Sequence, residues 1–257
     1  MLRLPVSGTP IDVRPPSGAD DLLLAEARDV GLQLAVAVAG RMTRAADGGE
    51  LDWAEMPLTD LDACMLELHL RHFGDLVQAE TACPASGCGR RFDVSLCVGD
   101  YLEHHRPVRP RGVEHAAEAG WHRLAGSAIE FRPPRARDLC ELDGRPGAAA
   151  SLMARCVRPR DTGPQARRRV QRALGLMAPS LCRDLEMVCP ECGVASRVRF
   201  DPPAYVLREL RDSALAVYED VHLLAAAYHW SESAILDLPR DRRERYAERV
   251  RAEWRPA

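Results

Sequence analysis

Apolar residues fall on alternate positions in two short stretches about a hundred residues apart: Phe92, Val94, Leu96 and Val98, then Val194, Ser196, Val198 and Phe200, with one serine in the series. A period of two predicts strands. Ile11-Asp12-Val13 and Ile129-Glu130-Phe131 alternate in the same way, and each runs into Arg-Pro-Pro, at 14–16 and at 132–134. The proline pair stops a strand, and Asp20 and Asp138 follow where an aspartate can cap a helix. Between Leu58 and Phe73 the period changes to three and four, with Leu61, Met65 and Leu68 inward, Thr59 or Asp60 as cap and Gly74 past the end. A similar helix is expected over 165–177. From Leu207 through Leu210, Ala214, Val217, Val221, Leu224 and Tyr228 the same spacing predicts one long helix with a single apolar stripe. A helix packed on its own domain is the simpler reading of that stripe, a coiled-coil seam the other. Ser231 then caps a short helix, and after Pro239 a charged helix shows only Tyr246, Val250 and Trp254 on its apolar edge.

The strand, the Arg-Pro-Pro stop, the helices and a cysteine turn recur in the same order, over about 10–101 and again over about 128–205. This order predicts an α+β chain of two duplicated strand-helix-knuckle halves sharing a zinc-ribbon-like site, followed by a helical C-terminal segment. The expected divisions are 1–101, 102–205 and 206–257, with joints at 41–50, 106–120 and 158–164. Chance recurrence in a chain rich in proline and arginine is the competing account.

The chain has 257 residues, 46% of them hydrophobic, 5% aromatic, and a formal net charge of −3. That balance predicts a folded core and no general electrostatic pull toward nucleic acid or anionic membranes. All its basic residues other than histidine are arginine, as a GC-rich coding sequence would produce. The start lacks the basic and apolar regions of a secretory signal, and the run Val30 to Gly40 is too short to span a membrane. With nine cysteines, an odd number, and no signal, a reducing cytoplasmic setting is expected.

Cys83 and Cys88 flank one turn, Cys189 and Cys192 another, and Gly89 and Gly193 follow directly. Such turns present two sulfurs to one metal, and neither pair alone completes a tetrahedral shell, so a shared structural Zn²⁺ is the simplest expectation. A thioredoxin-like redox pair would open a helix, whereas Cys192 leads into a strand pattern. A zinc deaminase would need a His-x-Glu upstream, which is lacking. No phosphate loop, dinucleotide fingerprint or nucleophile elbow occurs either, so catalysis is not expected. His104, His105, His115 and His122 lie between the two turns and could supply a ligand in place of a cysteine. Cys64, Cys97, Cys140, Cys156 and Cys182 stand singly and are expected in the core. Arg90, Arg91, Arg197 and Arg199 flank the turns; they could touch nucleic acid, but stacking aromatics are sparse, and offsetting the negative charge of a four-thiolate centre is the preferred role.

The segment Tyr228-His229-Trp230-Ser231-Glu232, with Ile235, Leu238-Pro239, Arg242-Arg243 and Tyr246, resembles the closing segment of proteins encoded with contractile phage tails. Together with Cys189-Pro190-Glu191-Cys192-Gly193 and Ile129-Glu130-Phe131-Arg132-Pro133-Pro134, it is similar to the T-even-type baseplate hub assembly family and its relatives in phage-tail-like injection systems. The resemblance covers mainly 128–250. It implies a non-enzymatic structural or assembly protein whose partners are baseplate or tail proteins of a contractile apparatus, within which it could be incorporated. On this reading zinc locks the halves together and Tyr228, Trp230, Tyr246, Val250 and Trp254 dock a partner, with folding back onto the core as the alternative for these residues. A zinc-ribbon nucleic-acid-binding regulator is the alternative function.

Overall fold

The computed structural model describes residues 2–142 and 147–254. The chain opens with β1 (Leu2–Arg3), β2 (Pro10–Val13), helices α1 (Gly18–Glu26) and α2 (Leu32–Met42), and β3 (Thr43–Ala45), which form one antiparallel sheet in the order β1-β2-β3. Helix α3 (Leu58–His72), the hairpin β4 (Leu76–Ala82) and β5 (Arg91–Cys97), and α4 (Val98–His104) follow. A second sheet, in the order β6-β7-β8-β9, comprises β6 (Val113–His115), β7 (His122–Leu124), β8 (Glu130–Phe131) and β9 (Val157–Arg158); α5 (Ala136–Cys140) and α6 (Ala148–Cys156) lie between its last two strands in sequence. Next come α7 (Pro164–Met177), the hairpin β10 (Arg183–Val188) and β11 (Ala195–Phe200), and α8 (Pro202–Ala214). The chain closes with α9 (Val217–Tyr228), α10 (Glu232–Leu236) and α11 (Arg240–Trp254). The architecture is mixed α+β with small antiparallel sheets.

The two Arg-Pro-Pro segments end strands, as expected, and their arginines bend back in the same way. Arg14 holds Asp20 through two hydrogen bonds of 2.6 and 2.9 Å, and Arg132 holds Asp138 through two of the same lengths. In both, the arginine also donates to the carbonyl of the first proline. Each aspartate is the third residue of its helix rather than the cap residue, and it accepts the backbone N–H of Ser17 or Arg135. A carboxylate there satisfies an N–H that the helix leaves free and faces the positive end of the helix dipole. Although burial works to raise it, the hydrogen bonds from Arg14, Ser17 and Arg41 hold the Asp20 carboxyl far below the ordinary range.

Helix α3 is not amphipathic. Every residue from Thr59 to His69 is buried, because α2, α4 and α8 pack around it. Pro57 stands at its N-cap; Thr59 donates to the Pro179 carbonyl at 2.9 Å, while Asp60 accepts the N–H groups of Val6 and Ser7 at 2.7 and 2.9 Å. Both residues tie distant segments to the helix start.

The predicted long helix over 207–228 is interrupted at Leu215 and Ala216, giving α8 and α9. Its stripe is divided accordingly. Leu207, Leu210 and Ala214 enter the main core beside Leu24, Ala35, Leu61 and Leu68, whereas Leu224 joins a separate cluster with Ile235, Ala247 and Val250. The segment after 205 is thus folded onto the first half of the chain, with α1 touching α8, α9, α10 and α11. Gly18 sits so close to Leu236 that a Cβ would lie 2.8 Å from the Leu236 Cα. Truncation after Pro203 is expected to abolish the cooperative thermal transition seen by circular dichroism, since it uncovers the α1–α3 face of the main core. A truncated chain that melts cooperatively near the parent temperature would contradict this packing account.

Candidate metal centre

Both cysteine turns cap hairpins. In the first, the ladder runs to the Ala82–Arg91 pair; the Cys83 N–H then bonds the Arg90 carbonyl at 2.8 Å, and the N–H groups of Cys88 and Gly89 both reach the Ala85 carbonyl. In the second, the last pair is Val188–Ala195, the Cys189 N–H bonds the Val194 carbonyl at 3.0 Å, and Gly193 closes back on the Cys189 carbonyl at 2.9 Å. Gly89 and Gly193 have φ of 58° and 72°. That left-handed geometry is readily adopted by glycine and lets the chain turn from the second cysteine into the strand. The two extra residues of the first turn are therefore absorbed in the loop without changing how the turn ends.

The four cysteine sulfurs lie within 4.8 Å of one another. Cys83 faces Cys192 at 3.5 Å and Cys88 faces Cys189 at 3.9 Å, so the contacts cross from one hairpin to the other. Four sulfurs at about 2.3 Å from a tetrahedral ion stand about 3.8 Å apart, so this donor set fits one Zn²⁺. Cys83 and Cys189 are buried, Cys88 is half-buried and Cys192 is exposed. Backbone N–H groups point at the sulfurs, from Ala85 to Cys83, from Arg90 to Cys88, and from Cys192 and Glu191 to Cys189. Burial raises the Cys189 thiol, but these donors and the neighbouring thiols outweigh it and bring its pKa to about 7. At Cys83 and Cys88, despite the backbone donors, burial and the neighbouring sulfurs push the thiols up. Among the described residues these cysteines are the one group of three or more potential ligands so close together. The histidines lie elsewhere: His105 bonds the Tyr101 carbonyl next to His104, and His115 faces His122 across β6 and β7.

Below the turns, the hairpins share a cluster in which Val77 and Leu96 of the first meet Leu185 and Phe200 of the second, together with Leu66, Tyr101 and Leu181. The hydrophobic bases place the hairpins so that their cysteine ends can meet. Three of the four flanking arginines pair with carboxylates of their own hairpins. Arg197 pairs with Glu186 at 2.8 Å, Arg199 with Asp184 at 3.3 Å, and Arg91 with Glu80, all across their own ladders. Their charges answer cross-strand carboxylates. Of the single cysteines, Cys64 and Cys156 are buried; Cys140 and Cys182 are half-buried and Cys97 is exposed, so the expectation of core positions fails for the last three.

Three aromatic residues of the C-terminal segment, Tyr228, Trp230 and Tyr246, gather together. Tyr228 stacks on Trp230 with ring centres 5.0 Å apart, and Tyr246 meets Trp230 edge-on at 5.2 Å. Val250 is 1% exposed and lies inside the α9–α11 cluster, so its apolar surface serves the interior; Trp254 is 54% exposed. Helix α11 is not the solvated helix that its composition suggests, because Arg240, Arg243, Ala247 and Val250 form its inner face. Arg243 lies fully buried between Asp21, at 2.7 Å, and Asp220, at 3.0 Å. Arg240 also pairs with Asp21, and Arg251 with Asp220 at 2.8 Å. These positions follow a helical period that becomes visible once arginine is counted as a buried residue. No helix among the described residues is long and apolar enough to cross a membrane. No protein-family model, curated protein or solved structure matches this chain.

Proposed function

We propose that this protein is a non-enzymatic structural or assembly component of a contractile, phage-tail-like apparatus, built from two duplicated halves clamped by one structural zinc ion. The observation that carries the clamp is the convergence of Cys83, Cys88, Cys189 and Cys192 from two hairpins distant in sequence. Four thiolates fill a tetrahedral shell and leave no position for water or substrate, which favours a structural over a catalytic ion. The duplication is supported by matching order: β2 to α4 and β8 to α8 both run strand, two helices, strand, helix, hairpin, helix. Within them β2 pairs with β1 and β3, and β8 with β7 and β9, all antiparallel. The repeated Arg14–Asp20 and Arg132–Asp138 geometry supports it further. The baseplate assignment rests on the resemblance of 128–250 to hub assembly proteins.

The test is co-expression of the tagged protein with the sheath, tube and baseplate components of its own system. A baseplate subunit is expected to co-purify. Because Trp254 is a large exposed ring at the end of α11, Trp254→Ala is expected to weaken that capture by about tenfold or more without lowering the melting temperature. Particles that assemble with normal yield and activity in a strain lacking this protein would refute the assignment.

A further inference from the structure

Among the described residues, Asp62 differs from the other buried carboxylates. Asp20 meets Arg14 and Arg41, Asp138 meets Arg132, Asp21 and Asp220 share Arg243, and Glu67 meets Arg71. Asp60 accepts two backbone N–H groups from the N-terminal loop. Asp62 is 5% exposed and has no guanidinium partner. It accepts the Leu181 N–H and, at 3.8 Å, the Cys182 thiol, and the charge that acts on it comes from a second carboxylate, Asp201. A carboxylate taken out of water without a counter-ion is penalised heavily, so such a group is conspicuous.

Asp62 lines a cavity of about 400 Å³, within the size range of small-molecule sites. Val30, Leu58, Leu139 and Pro203 supply an apolar wall. Asp62, Ser180, Cys182 and the exposed Asp201 supply the polar part. Arg199 also borders the cavity, but its guanidinium is turned to Asp184. The cavity lies where α2, α3 and α8 meet α5 and the segment leading into β10. A metal ion is a poor fit, because the donors here do not gather as the four cysteines do. An ammonium group on an aliphatic stem fits both parts: it donates several hydrogen bonds to carboxylates while its stem covers apolar wall. The chain contains no lysine, so no lysine ammonium of its own can serve.

We propose that this cavity binds a primary ammonium carried on an aliphatic stem, with Asp62 as the buried counter-ion and Asp201 beside it. The ammonium comes either from a free alkylamine or from a lysine side chain of a partner protein. The site rests on neither the metal centre nor the baseplate reading.

Burial, with the charge of Asp201, raises the Asp62 carboxyl to about 7. Holding it ionised therefore lowers stability as pH rises from the ordinary aspartate range through about 7, whereas Asp62→Asn escapes that loss. The asparagine variant should melt higher than the parent at about pH 8, by a margin that shrinks as pH falls toward about 4, and its own cooperative melt shows that it folds. The binding test is calorimetric titration of the full chain at about pH 8 with n-pentylammonium, with Nα-acetyl-lysine amide and with neutral 1-hexanol. Saturable binding of the pentylammonium, one per chain, is expected. Asp62→Asn should weaken it by about tenfold or more, and Leu139→Trp, which fills the cavity while keeping the carboxylate, should do the same. Equal binding of the lysine amide assigns the site to a partner's lysine; its exclusion assigns it to a free amine. The proposal fails if neither ammonium binds, if the asparagine variant keeps the parent affinity, or if hexanol binds as well as pentylammonium.

Discussion

Replacing Cys189 by serine is expected to lower stability by about 3 kcal/mol or more, a loss of the size seen when a structural disulfide is removed. For a chain of this length that corresponds to a fall in melting temperature of about 10 °C. The purified protein should carry one zinc per chain by elemental analysis, and a chelator should produce the same fall in the parent. The physical reason is linkage: four deprotonated sulfurs from two separate hairpins bind one ion only when the chain is folded, so binding energy becomes folding energy. Cys97→Ser serves as the control, because Cys97 is an exposed single cysteine at the far end of β5, and it should leave both zinc content and melting temperature unchanged. A protein purified without zinc, or a Cys189→Ser variant that melts with the parent, would remove the clamp. The hydrophobic bases of the hairpins would then have to hold the two hairpins together alone.

An effect of similar size is expected at Arg243, for a different reason. Its guanidinium is fully buried between the equally buried Asp21 and Asp220, so Arg243→Ala leaves two carboxylates short of a counter-ion and opens a cavity in α11. Breaking such a pair from one side costs about 3–5 kcal/mol, measurable as a shift of the urea midpoint. Lysine should not rescue the site, since one ammonium cannot reproduce the planar fork that bridges two carboxylates. Asp21 and Asp220 keep Arg240 and Arg251 as remaining partners, which places the expected loss toward the lower end of that range. A midpoint within about 0.5 kcal/mol of the parent, the range of ordinary surface changes, would mean that the network is solvated and that α11 is held by Ala247 and Val250 alone.

Short-range pattern was enough for the elements next to the metal centre. Period-two alternation located β5 and β11, the cysteine-to-glycine spacing located the two turns, and Ser231 does cap α10, accepting the Ala234 N–H at 3.3 Å. Each of these depends on residues within a few positions of one another, so local conformational preference decides it. The pairing of the cysteine turns was also legible, because two half-shells of ligands require each other chemically.

What the pattern could not reach depends on neighbours far away in the chain. Helix α3 carries aspartate, glutamate and histidine among its leucines, which reads as two-faced until α2, α4 and α8 close around it. The break at Leu215 and Ala216 leaves the apolar period unbroken, since the stripe serves two clusters that only the folded chain separates. Arg243 looks like a surface residue because a lone guanidinium belongs in water. Asp21 and Asp220, some two hundred and some twenty residues away in sequence, make the interior its place. Local order follows from the backbone and nearest side chains, whereas the burial of charge follows from which opposite charge the fold brings to it.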